Sequence, residues 1–212
     1  VRNSAENFAV TSLELGGKSP IIVFEDADLD GAANGLIAGN FGASGQSCVA
    51  GSRALVQRSI FDALAAKVTE KSAGIVVGDP LDPGTHLGPL CTAAQMDLIK
   101  TTLAKAREQG ADIRFGGAPL DRPGNFMAPT LVACTSAQTE TLAVEMFGPV
   151  MSLVPFDTED EAIAMANNNE FGLGSGVFTR DLARAHRWAL LRTECLFFQT
   201  AFSFHLGSPS FF

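Results

Sequence analysis

Short apolar runs alternate with helix-like windows along this chain, and that alternation limits its fold more than any other feature. Ile21-Ile22-Val23-Phe24 is a continuous apolar run, the pattern of a strand buried on both faces. Glu25-Asp26-Ala27-Asp28 follows as an acidic start to a small-residue helix running through Leu36 and Ile37. Ala54-Leu55-Val56 reads as the next strand. Ser59-Ile60-Phe61-Asp62 then has capping-box spacing, and Phe61, Leu64, Ala65 and Val68 fall on one helical face. A further helix is expected over 92–109, striped by Met96, Ile99, Leu103 and Ala106 and stopped by Gly110. Strands are expected near 113–115, 131–134, 150–154 and 176–178, and Thr158-Glu159-Asp160-Glu161 opens a helix through Ala166. This spacing implies an α/β fold, a mostly parallel sheet flanked by helices. At 212 residues the chain is one domain, or one and a fragment, against a usual size of roughly 150.

Composition removes several function classes. Hydrophobic residues make up 46% and charged residues 18%, enough apolar material for a core and too little charge for disorder. Lys and Arg total 15 against 23 Asp and Glu, a net charge of −8, so no basic surface and no nucleic-acid partner are expected. No apolar run reaches the ~18 residues of a membrane span. The opening Val1-Arg2-Asn3-Ser4-Ala5-Glu6 has no apolar core of a signal peptide. Cys48, Cys91, Cys134 and Cys195 form no CxxC and have no nearby His pair. That argues against a metal site or a disulfide scaffold and for reduced thiols in the cytoplasm.

Three segments can carry chemistry. In Leu13-Glu14-Leu15-Gly16-Gly17-Lys18-Ser19-Pro20 a carboxylate sits between leucines, just before a glycine pair that permits a tight turn. Partial burial would raise its pKa and suit it to general-base work; the bland alternative is a solvated Glu at an edge. In Gly42-Ala43-Ser44-Gly45-Gln46-Ser47-Cys48-Val49-Ala50-Gly51 a cysteine lies in a glycine-rich loop between a helix and a strand, where backbone N–H groups could flank a thiolate. A lone Cys is more often a small buried hydrophobe, and Cys91, Cys134 and Cys195 are read that way. Glu145-Met146-Phe147-Gly148-Pro149-Val150 offers a carboxylate for ribose hydroxyls and a ring for a flat heterocycle ahead of a strand.

Taken together, Glu-Leu-Gly-Gly-Lys-Ser-Pro, then Gly-Gln-Ser-Cys, then Glu-Met-Phe-Gly-Pro resemble the aldehyde dehydrogenase superfamily. Gly78-Asp79-Pro80, Leu87-Gly88-Pro89-Leu90, Ala128-Pro129-Thr130-Leu131 and Val177-Phe178-Thr179 extend the likeness over 1–188. The resemblance implies the family's catalytic domain and oxidation of an aldehyde to a carboxylic acid with NAD or NADP. Cys48 would be the nucleophile, passing through a thiohemiacetal and a thioester, and its own N–H a candidate oxyanion donor. Glu14 would be the base that activates the hydrolytic water; relatives that transfer the acyl group to coenzyme A or phosphate generally lack it. Glu145 would contact the cofactor ribose, Phe147 would pack near the nicotinamide, and Leu15 and Gly16 would adjoin the cofactor. Ser47 and Val49 would border the aldehyde tunnel.

The chain departs from that family at both ends. The dinucleotide-binding domain that precedes this stretch in relatives has no counterpart here, nor has the amide that completes their oxyanion hole. The isolated chain is therefore expected to be a truncated form with little NAD-dependent turnover. Residues 189–212 contain only Arg192 and Glu194 as charges and gather Phe197, Phe198, Phe202, Phe204, Phe211 and Phe212. This Phe-rich tail lacks the family's ending and reads as sequence outside the fold, with a buried strand or a partner surface as alternatives. A family-like homo-oligomer would lack interface elements. Two other functions fit the same residues: a non-catalytic association domain, and a cofactor-independent thiol esterase.

Overall fold

The computed structural model describes residues 1–191 and the strand at 196–200. Seven strands form one sheet: β1 (Pro20–Val23), β2 (Arg53–Gln57), β3 (Asp112–Phe115), β4 (Thr130–Ala133), β5 (Val150–Phe156), β6 (Gly174–Phe178) and β7 (Leu196–Thr200). Their order is β3-β4-β5-β2-β1-β6-β7, with every neighbour parallel except β3 against β4. The helices are α1 (Arg2–Ala5), α2 (Leu29–Phe41), α3 (Phe61–Ser72), α4 (Ala93–Glu108), α5 (Glu140–Ala143), α6 (Glu159–Asn167) and α7 (Leu182–Leu191). The expected α/β architecture is the one found. β7, formed from residues that the sequence reading leaves outside the fold, pairs Leu196–Thr200 with Gly174–Phe178, and α7 crosses residue 188. Residues 192–195 and 201–212, including Cys195, lie outside the described residues.

Strand alternation splits the core into two faces. Ile22, Leu55, Val132 and Val154 point to one side with Met96, Ile99, Leu103 and Ala106 of α4, Ala162 and Ala166 of α6, and Ala185 and Trp188 of α7. Val23, Ala54, Val56 and Leu153 point to the other with Ala32, Ala33 and Leu36 of α2 and Leu64, Ala65 and Val68 of α3. Half of the Thr158 box forms: its hydroxyl receives the Glu161 N–H at 3.2 Å, while Glu161 Oε2 reaches past the cap to the N–H of Asp157 at 2.7 Å. The Ser59 box does not form. Residues Arg58–Ile60 make a 3₁₀ turn, Ile60 takes the cap position, and the Ser59 hydroxyl donates to Glu25 Oε2 at 2.9 Å instead.

Candidate active site

Three loops lead into the neighbouring strands β1, β2 and β5, and all arrive at the same rim because those strands are parallel. Residues 14–19 precede β1, 42–52 precede β2, and 145–149 precede β5. Between them lies an open cleft of about 530 Å³ lined by Glu14, Leu15, Gly16, Gln46, Ser47, Cys48, Glu145 and Phe147. The sequence candidates Cys48, Glu14, Glu145, Phe147, Leu15 and Gly16 therefore share one cavity wall. Of the two readings of Glu14, the solvated carboxylate at an edge is the one found. It is exposed, as are Leu13 and Leu15 at 56% and 67%, because residues 9–15 form no helix or strand and do not pair with the sheet.

The glycine pair is required by close approach. A Cβ at Gly16 would overlap Glu145 Oε2, and one at Gly17 would overlap the carbonyl oxygen of Cys48. Glu145 Oε1 accepts the Gly17 N–H at 2.9 Å, which ties the first loop to the third. Phe147 adopts a left-handed φ of 48° and is 39% exposed where it lines the cleft.

The cysteine loop is held in a strained form. Ala43 and Ser44 have φ of 50° and 57°, a conformation that costs non-glycine residues roughly 1–3 kcal/mol. Gly45, at φ 70°, lies so close to Gly148 that a Cβ would overlap its carbonyl. The segment before α4 secures this shape: Ser44 Oγ donates to Gly88 O at 3.1 Å, Gln46 Nε2 donates to Pro89 O at 3.3 Å, and Gln46 Oε1 accepts the Cys91 N–H at 2.9 Å. Cys48 is half-buried, and among the described residues its backbone N–H donates to no acceptor. Cys134 is buried as expected. Cys91 is exposed instead, since its loop is anchored through the backbone and leaves the side chain to solvent.

An apolar groove of about 490 Å³ reaches Ser47 and Val49, the chain neighbours of Cys48, and is also lined by Gly39, Gly42, Ala43 and Phe178. Behind the cleft stand two buried cations. Arg53 donates to the carbonyls of Lys18, Met165 and Ala166 at 2.8, 3.2 and 2.9 Å, and burial lowers its pKa to about 10. Lys18 is 2% exposed; burial, then the Arg53 charge, lower its pKa to about 7. Sequence reasoning did not single out Lys18 or Gln46, though both stand inside the quoted motifs. Phe171, which packs beside Gly16, had no signal at all. Among the described residues no group of three or more His, Cys, Asp or Glu side chains could hold a metal ion, and no helix is long and apolar enough to cross a membrane.

Residues 1–193 match the sequence profile of the Aldehyde dehydrogenase family. The (Z)-2-((N-methylformamido)methylene)-5-hydroxybutyrolactone dehydrogenase of Acinetobacter baylyi is 48% identical over 188 residues, 88% of this chain and 38% of its own length. A betaine aldehyde dehydrogenase of Cereibacter sphaeroides is 45% identical over 184 residues, 87% of this chain and 38% of its own. The crystal structure of HpcC from Thermus thermophilus superimposes with a TM-score of 0.88 at 37% identity, covering 93% of this chain and 40% of that one. The betaine aldehyde dehydrogenase of Staphylococcus aureus in complex with NAD+ gives 0.87 at 35% identity, covering 95% and 41%. The chain thus spans 38% of the length of these curated relatives.

Proposed function

This chain belongs to the aldehyde dehydrogenase family, and from that premise we propose that its cleft oxidises an aldehyde to a carboxylic acid with NAD(P)+. The observation that carries the reading is one cleft holding a half-buried thiol, a solvent-facing carboxylate, and a second carboxylate beside an exposed ring. Cys48, as the thiolate, adds to the aldehyde carbon, and its unengaged N–H is a donor for the oxyanion that forms. A nicotinamide dinucleotide bound here would supply the hydride acceptor that oxidation of the Cys48 thiohemiacetal to a thioester requires. Glu14, wetted on its open side, takes a proton from water as that water adds to the acyl carbon. The carboxylate leaves and the Cys48 sulfur is freed. Glu145, Phe147, Leu15 and Gly16 fit the cofactor: one oxygen of Glu145 is seated on Gly17, its other faces a turn that only glycine allows, and Phe147 offers a ring.

The groove beside Ser47 and Val49 is the seat we assign to the substituent of the aldehyde. Its lining offers one aromatic ring, Phe178, and no carboxylate, so it suits an uncharged apolar group better than a quaternary ammonium, which favours an aromatic cage. The test acylates the thiol directly, with an activated acetyl ester, and follows the adduct by mass spectrometry. Acetylation is expected on Cys48, absent from Cys48→Ala, and its hydrolysis slower by about 10²–10⁴-fold in Glu14→Gln. Acylation and deacylation need no dinucleotide, so this test reads Cys48 and Glu14 in a chain from which little NADH is expected. Acylation that ignores Cys48, or deacylation indifferent to Glu14, overturns the reading.

A further inference from the structure

Lys18 lies at the end of the Gly16-Gly17 turn, sealed behind the cleft, and its Nζ donates to no group among the described residues. Dehydrating an ammonium costs several kcal/mol unless another charge offsets it. The charged and titratable groups that face it come from three directions: Arg53 on β2, Glu145 ahead of β5, and Cys134 just after β4. Arg53 repels it, and burial holds the Cys134 thiol above its ordinary range, protonated at neutral pH. Glu145 is left as the anion that attracts it. Lys18 and Glu145 also line one small pocket of about 10 Å³ under the cleft floor, the size of a single water that could bridge them.

We propose that Lys18 is a positioning residue for Glu145: its ammonium draws the carboxylate onto the Gly17 N–H and so fixes the oxygen presented to the cofactor ribose. The last part rests on the reading of Glu145 as a cofactor ligand; the seating itself does not. Gly17 directly precedes Lys18, so the amine and the N–H that anchors the carboxylate are carried by one short stretch of backbone. With the amine near a pKa of 7, the attraction operates below neutrality and fades above it. An arginine at 18 would keep it at any pH, and a methionine would fill the space without it.

The test is an amide ¹H–¹⁵N titration of the full chain from pH 5.5 to 9. In the wild type the Gly17 resonance is expected to shift with a midpoint near 7; Lys18→Met should lose that step, and Lys18→Arg should hold the acidic position throughout. Should Lys18→Met fail to fold, the ¹³Cε titration of Lys18 decides: its midpoint is expected to fall by roughly one unit in Glu145→Gln, where the attracting charge is gone. A Gly17 step missing from the wild type or unchanged in Lys18→Met, or a Lys18 midpoint indifferent to Glu145→Gln, overturns the proposal. NAD+ added to the same samples should bind about tenfold more weakly at pH 8.5 than at pH 6 in the wild type, with little change in Lys18→Arg. A Gly17 step without that change in affinity would leave the seating intact and remove Glu145 from the cofactor site.

Discussion

A β-carbon at Gly17 would meet a backbone oxygen, whereas one at Gly16 would meet the free end of a side chain. The two neighbours should therefore respond differently to the same substitution. Gly17→Ala forces the Cys48 peptide aside and is expected to cost roughly 1–3 kcal/mol in urea unfolding, with altered labelling of Cys48 by a thiol reagent. Gly16→Ala displaces the Glu145 carboxylate and should spare most of the stability while disturbing the Gly17 amide resonance. The cysteine, both carboxylates and the glycine pair were all readable as motif residues. What could not be read was exposure: the leucines beside Glu14 allow either a partly buried or a solvated carboxylate, and Cys91 looks like core but faces water. Lys18 was invisible for the converse reason, because a lysine is sealed in only when several distant elements close over it.

Among the elements, periodicity carried most of the information. The α4 stripe of Met96, Ile99, Leu103 and Ala106 is buried as its spacing requires, Thr92 caps it, and Gly110 ends it at φ 82°. The two expected capping boxes give an internal comparison. Thr158→Ala should cost about 1 kcal/mol by chemical denaturation, the usual loss of an N-cap. Ser59→Ala should cost less, since that hydroxyl makes an exposed contact with Glu25 and caps nothing. The short α1 and α5 have too few residues for a period to register, and the sequence of β7, Leu-Phe-Phe-Gln-Thr, has no period-2 alternation to mark it. Fold rules also point to the opposite edge from the candidate cleft. Ligands of open parallel sheets usually lie at the carboxyl ends of the strands, but here the loops that line the cleft precede β1, β2 and β5.

For the molecule as a whole, the buried amine couples folding to pH. Unfolded, Lys18 keeps its ordinary pKa of 10.5; folded, it titrates near 7. Between those values the unfolded chain binds a proton that the folded chain does not, so this group raises stability as pH climbs from about 7 towards 10 and lowers it on the way back. Below about 7 both states are protonated and its contribution stops changing. Cys134, with its thiol held up by burial, acts in the opposite sense at the alkaline end, so the difference between wild type and Lys18→Met is the quantity to follow. Urea midpoints at pH 7, 8.5 and 10 should rise more in the wild type than in the variant; parallel curves would mean that the amine is not sealed in. The far rim of the sheet offers a practical handle. There Asp26 gathers the Thr179 hydroxyl, the Arg180 N–H and the Arg184 guanidinium at 2.8, 3.0 and 3.1 Å, while Glu25, Asp157 and Arg180 stay exposed. A fluorophore or an immobilising tether grafted there would project away from the thiol, so the protein could be fixed to a surface with its reactive mouth turned outward.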